Sequence, residues 1–195
     1  MIQAHSRSRL GIQYFILFLL GAVLAGAAEL PYGGWIQIPI LSVIWLQLTL
    51  VNDASKKHGF LSGLIFGLGY FVIGLWWLYI SLHDVGGMNV ALSCMAVFLL
   101  SAYMALYYSL ATLTLSLLHK SRLTGLFLAA SWVLMEFLRG YIFTGFPWMG
   151  LAESQFNGPF APIAPFFGGL ACTFLVIWTS WEILQIKKHA VMSLV

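Results

Sequence analysis

Residues 132–150, WVLMEFLRGYIFTGFPWMG, bring together the groups in this chain best placed to do chemistry. Glu136 and Arg139 stand three residues apart, where an apolar run gives out, so both project from one face of a helix. A carboxylate and a guanidinium at the end of a membrane helix are costly unless they are paired or functional. Two roles suit the spacing. The pair can bond to itself at the interface, or Arg139 can turn to an anionic lipid phosphate, which a planar guanidinium fits well. Phe146-Pro147-Trp148 follows as a stiff amphipathic wedge suited to the headgroup layer. A second polar pair, His83-Asp84, closes an earlier apolar run. It suits either proton handling or an interfacial hydrogen bond, and the interfacial role is the plainer expectation.

Other chemistry is not indicated. No metal-ligand spacing, phosphate-binding glycine loop or Ser-His-Asp pattern is present, so no metal and no cofactor are expected. Cys94 and Cys172 both fall in apolar runs. That setting raises a thiol pKa and argues against a reactive thiolate. The net charge of +3 comes from basic pairs scattered between apolar runs, which gives no patch for nucleic acid.

The elements that carry these residues follow from composition. Hydrophobic residues make up 61% of the 195 and charged residues 8%, too few to cover a soluble core. The bilayer must solvate most of the surface. Six stretches approach the roughly 20 apolar residues that cross it as a helix: 10–28, 35–51, 59–82, 90–118, 123–138 and 163–183. The expected fold is all-α, a polytopic membrane helical bundle forming one transmembrane domain over 1–195, with no soluble domain.

Basic pairs recur at every second connection: Arg7 and Arg9, Lys56 and Lys57, Lys120 and Arg122, Lys187 and Lys188. The positive-inside rule makes that face, and both termini, cytoplasmic. The opposite face holds the punctuated loops 29–35, 81–89 and 144–165. The longest of these is of a length more often functional than not. Gly59, Gly63 and Gly67 recur at every fourth residue, a spacing that lets helix backbones approach closely.

The segments LYISLHDVGGMN (78–89), FLRGYIFTGFPW (137–148) and ESQFNGPFAPIAPFFG (153–168) together resemble the bacterial apolipoprotein N-acyltransferases. GFLSGLIFGLGYFVIGLWWLYISL (59–82) is similar to that family's third span, and the likeness runs in order from about residue 14 to 177. The resemblance implies a multi-pass protein of the bacterial inner membrane. It implies transfer of an acyl chain from a phospholipid to the α-amino group of the S-diacylglyceryl-cysteine of lipoproteins, through an enzyme thioester. In the family the catalytic Glu, Lys and Cys lie in a periplasmic nitrilase-like domain, for which these residues offer no counterpart. The expectation is therefore a truncated membrane portion, inactive alone, with no catalytic residue. Either a separately encoded nitrilase-like domain completes it as a split enzyme, or the chain is a non-catalytic lipid-binding or assembly protein. The resemblance carries over only an outer surface lining the lipid entrance: His83, Gly86, Gly87, Glu136, Arg139, Gly145, Phe146, Pro147, Trp148, Ser154 and Gln155. Implied partners are the phospholipid donor, the diacylglyceryl lipoprotein and membrane lipid. The chain departs from the family pattern at Glu29-Leu30, Val85, Asn89, Phe137 and Ala152-Glu153.

Overall fold

The computed structural model describes residues 2–51, 56–118 and 121–192, with side chains from Leu10 to Ile186. Lys120 and the side chains of Arg7, Arg9, Lys187 and Lys188 lie outside the described residues. Among the described residues the chain is helical and has no strand. Its helices are α1 (Ile2–Ala28), α2 (Gly33–Val51), α3 (Lys56–Gly74), α4 (Trp76–Ile80), α5 (Val90–Leu118), α6 (Thr124–Arg139) and α7 (Ala164–Met192). Five are long and apolar enough to cross a membrane: α1, α2, α3, α5 and α7. α6 has 16 residues and ends at Arg139, where polar groups and Gly140 stop the apolar pattern.

The 59–82 stretch is not one helix. α3 ends at Gly74, α4 adds a short turn, and a π-helical turn follows over Ser81–Val85. There Gly86 N–H donates to the Ser81 carbonyl at 2.9 Å. α7 is likewise kinked at Gly168, whose φ of 77° lies in the left-handed region.

The six longer helices close a ring: α1 touches α2 and α3, α3 touches α5, α5 touches α6, α6 touches α7, and α7 returns to α2. Aromatic rings fill its centre. Trp132 of α6 packs edge-on against Trp45 of α2, with centroids 5.6 Å apart, and lies 4.2 Å from Tyr108 of α5. Phe66 of α3 stacks on Tyr108 at 6.0 Å. Trp45 Nε1 donates to Ser180 Oγ at 2.7 Å, which ties α2 to α7 without leaving the indole N–H unpaired.

Glycine sets how closely the helices approach. A Cβ on Gly63 would fall 1.9 Å from Thr112 Oγ1, and one on Gly67 would fall 2.9 Å from Ala105 Cα, both on α5. On the other flank of α3, a Cβ on Gly21 of α1 would lie 2.2 Å from the Phe66 carbonyl oxygen. The small-residue stripe read in α3 is therefore a packing seam, and it brings Tyr70 and Tyr108 within reach of one loop.

Candidate functional site: a buried polar clamp under the 140–158 loop

α6 delivers Glu136 and Arg139 into the protein. Arg139 is 1% exposed and Glu136 8%. No ion pair within 4.0 Å joins them among the described residues, and neither reaches the lipid surface. Each side chain instead holds the chain that follows. Arg139 Nη1 donates to the Trp148 carbonyl at 2.7 Å and Nη2 to the Pro147 carbonyl at 3.5 Å. The guanidinium carbon lies 5.3 Å from the centroid of the Phe71 ring, close enough for a cation–π contact. The Arg139 carbonyl also accepts from Phe146 N–H at 2.9 Å, which pinches the neck of the 140–145 loop.

Glu136 uses both carboxylate oxygens. Oε1 accepts from Leu151 N–H at 3.1 Å and from Trp132 Nε1 at 3.3 Å, while Oε2 accepts from Thr173 Oγ1 at 2.8 Å. One carboxylate thus joins α6, α7 and the loop. Burying it is tolerable because its lone pairs are taken by donors aimed at them.

The peptides between are held as tightly. Met149 sits at φ 64°, a left-handed value uncommon for a side chain of this size. Its carbonyl accepts from Tyr70 Oη at 3.2 Å and Tyr108 Oη at 3.4 Å. Its N–H donates to Glu153 Oε2 at 3.2 Å, and Gly150 N–H donates to Glu153 Oε1 at 3.0 Å. The Met149 side chain is buried against Gly74, where a Cβ would come within 2.0 Å of its methyl group. Gln155 carries the clamp on to α2: its Nε2 donates to the Gly34 carbonyl at 2.9 Å and to Gln37 Oε1 at 2.8 Å. Gly34 and Gly158 touch backbone to backbone at that point.

Several residues singled out in the sequence thus meet in one network: Glu136, Arg139, Pro147 and Trp148, with Phe146 bonded at the loop neck. Gln155 extends the network, and Ser154 Oγ donates to the Leu151 carbonyl at 3.1 Å. Gly145 sits at φ 80°, where a Cβ would strike the Gly140 carbonyl at 2.0 Å. His83, Gly86 and Gly87 lie apart on the π turn. The His83 Nδ1–H donates to the Met88 carbonyl at 2.7 Å, and His83 Nε2 is 3.9 Å from Asp84. Gly87 supplies a φ of 68° there. Sequence reasoning missed Tyr70, Tyr108, Trp132 and Thr173, and gave the outer-face acid Glu153 no role. Cys94 is exposed on α5 and Cys172 is buried, its thiol directed to the Phe160 carbonyl; both are free.

The family model of the apolipoprotein N-acyltransferase N-terminal domain matches residues 21–181, which include every member of this clamp. The chain belongs to that family. It is 36% identical over 168 residues to the apolipoprotein N-acyltransferase of Pasteurella multocida, covering 86% of this chain and 31% of the relative. To that of Haemophilus influenzae it is 37% identical over 168 residues, covering 85% and 31%. To that of Ralstonia nicotianae it is 40% identical over 140 residues, covering 69% and 27%. The chain therefore spans about a third of the length of the curated relatives it matches. With five helices able to cross a bilayer, it is a membrane protein of this family.

Proposed function

We propose that these residues form the membrane portion of an apolipoprotein N-acyltransferase in the bacterial inner membrane. The basic pairs face the cytoplasm and the clamped loop faces away from it. The membrane portion holds the phospholipid acyl donor and the diacylglyceryl lipoprotein where the acyl group is exchanged. The observation that supports this most directly is the family match across residues 21–181, which takes in the whole clamp. The clamp supplies what such a role needs, a loop of fixed shape on the side opposite the basic pairs.

In this reading Glu136 and Arg139 position the loop. Gly145, Phe146, Pro147 and Trp148 form the lipid-facing wall, and Ser154 and Gln155 anchor its far end. His83, Gly86 and Gly87 shape a second turn on the same face. None of these groups is assigned to the chemical step. A thioester route needs an activated thiolate, and among the described residues neither Cys94 nor buried Cys172 hydrogen-bonds to a base that could activate it. The nucleophile belongs to a part of the acyltransferase outside these residues.

A chimera tests this reading. Residues 1–183 are joined to the remainder of the Haemophilus influenzae relative and expressed in cells depleted of their own acyltransferase. Acylated lipoprotein α-amino groups and restored growth are expected. A chimera that inserts stably yet leaves the amino groups free would contradict the reading.

A further inference from the structure

Helix lengths place the clamped loop within the height of its neighbours, not above them. α6, with 16 residues, rises about 24 Å, against about 30 Å of hydrocarbon in a bilayer. Lys56 of α3 and Leu118 of α5 mark the opposite, basic face. Tyr70 lies about 21 Å up α3 from Lys56, and Tyr108 about 15 Å up α5 from Leu118. Side chains lean toward the start of their helix, so these two lean toward each other, and both hydroxyls reach the Met149 carbonyl. That carbonyl therefore stands about 15–21 Å above the basic face, well below the height of the hydrocarbon layer. The Phe143 ring meets the Tyr103 ring of α5 at 5.9 Å. From there α5 continues about 20 Å further to Val90.

Irregular backbone survives at such depth only where protein satisfies its polar groups or where it lines a wet cavity. The first condition is met, and a partly open recess beside the loop suits the second. The side chains of Arg139, Glu136, Tyr70, Tyr108 and Glu153 satisfy the peptides of 147–151. A recess of about 210 Å³ runs along the same loop from Glu29, at the end of α1, down to Tyr70 and Glu153. The other side of the loop is apolar and bare: Tyr141 and Phe143 are 71% and 84% exposed. Phe143 and Thr144 adopt left-handed φ values of 52° and 72°.

We propose that the 140–153 loop is re-entrant. It dips into the leaflet opposite the basic face, with Phe143 against the acyl chains of bilayer phospholipid and the Glu153 recess open to water. The acids, tyrosines and arginine gather here because this backbone has no water on its lipid side. The proposal does not depend on the acyl-transfer reading.

The test uses the chain in vesicles of phosphatidylethanolamine and phosphatidylglycerol, with both native cysteines replaced. Spin labels are placed on Phe143→Cys, on Tyr141→Cys as a second loop position, and on Val85→Cys. Val85 is 83% exposed on the π turn, about 15 Å beyond the end of α3. Collision rates are read with oxygen, which concentrates in lipid, and with a water-soluble nickel chelate. The oxygen-to-nickel ratio at 141 and 143 should be several-fold higher than at 85. A ratio at 143 equal to or below that at 85, whether both labels report water or both report lipid, would overturn the proposal.

Discussion

Arg139 donates from its guanidinium to the carbonyl of Trp148, nine residues further on, at 2.7 Å. Its helical neighbour Glu136 takes the N–H of Leu151 at 3.1 Å. An acid and a base spaced to pair with each other are each turned to a peptide group instead. The loop between those peptides is thereby fixed from below, without a surface ion pair.

Replacing Arg139 with Leu leaves the Pro147 and Trp148 carbonyls without their charged donor. The expected loss is about 1.5–3 kcal/mol, the worth of hydrogen bonds to a charged group. Arg139→Lys should recover part of this, because an ammonium reaches one carbonyl but cannot fork to both. Thermal unfolding in detergent should rank wild type above Lys and Lys above Leu. Equal midpoints for Lys and wild type would show that the fork is not used.

Glu136 separates charge from hydrogen bonding. In Glu136→Gln the amide oxygen can still accept from Leu151 and Trp132, and the Thr173 hydroxyl can rotate to accept from the new NH₂. The loss should be about 1 kcal/mol or less. In Glu136→Leu three donors lose their partner, and the loss should be about 3 kcal/mol. Denaturation of the two variants side by side checks this. A Gln variant as damaged as the Leu variant would mean that the negative charge, not acceptance, is what the site requires.

Gly34 and Gly26 form a matched pair of tests. A Cβ on Gly34 would lie 2.5 Å from the Ser154 carbonyl oxygen and 2.6 Å from Gly158 Cα, both backbone atoms unable to swing aside. Gly34→Ala should push the 154–158 segment off α2, break the Gln155 bonds and cost about 1–3 kcal/mol. Gly26, within α1, has nothing within 4 Å of its Cβ position. Gly26→Ala should be neutral or stabilising by up to about 1 kcal/mol. Melting temperatures of both variants decide the matter, and a harmless Gly34→Ala would rule out the close approach.

The sequence showed the bundle more clearly than the clamp. Long apolar runs mark most of the helices, and the α3 glycines announce a close seam. The end of α6 is visible in Glu136, Arg139 and Gly140. The break after Gly74 was hidden, because 75–82 continues the apolar run and the interruption comes from the α4 and π turns. The partners of Glu136 and Arg139 were hidden for a related reason. Tyr70, Tyr108 and Thr173 stand inside apolar helices, where such residues are ordinary. Only the ring of helices brings them to one point. Glu153 was visible as an acid, but its bonds to Met149 and Gly150 depend on a left-handed residue at 149 that no local pattern requires.

The central claim is that the side chains of Arg139, Glu136, Tyr70, Tyr108 and Glu153 hold the peptides from 147 to 151. Amide hydrogen exchange of the chain in lipid bilayers tests it most directly. The N–H groups of Met149, Gly150 and Leu151 should exchange as slowly as helical amides of α5, although they lie in a loop. In Arg139→Leu they should exchange much faster while α2 and α5 stay protected. If these three amides exchange in the wild type at the rate of an unstructured chain, the clamp does not exist in the membrane and the account fails.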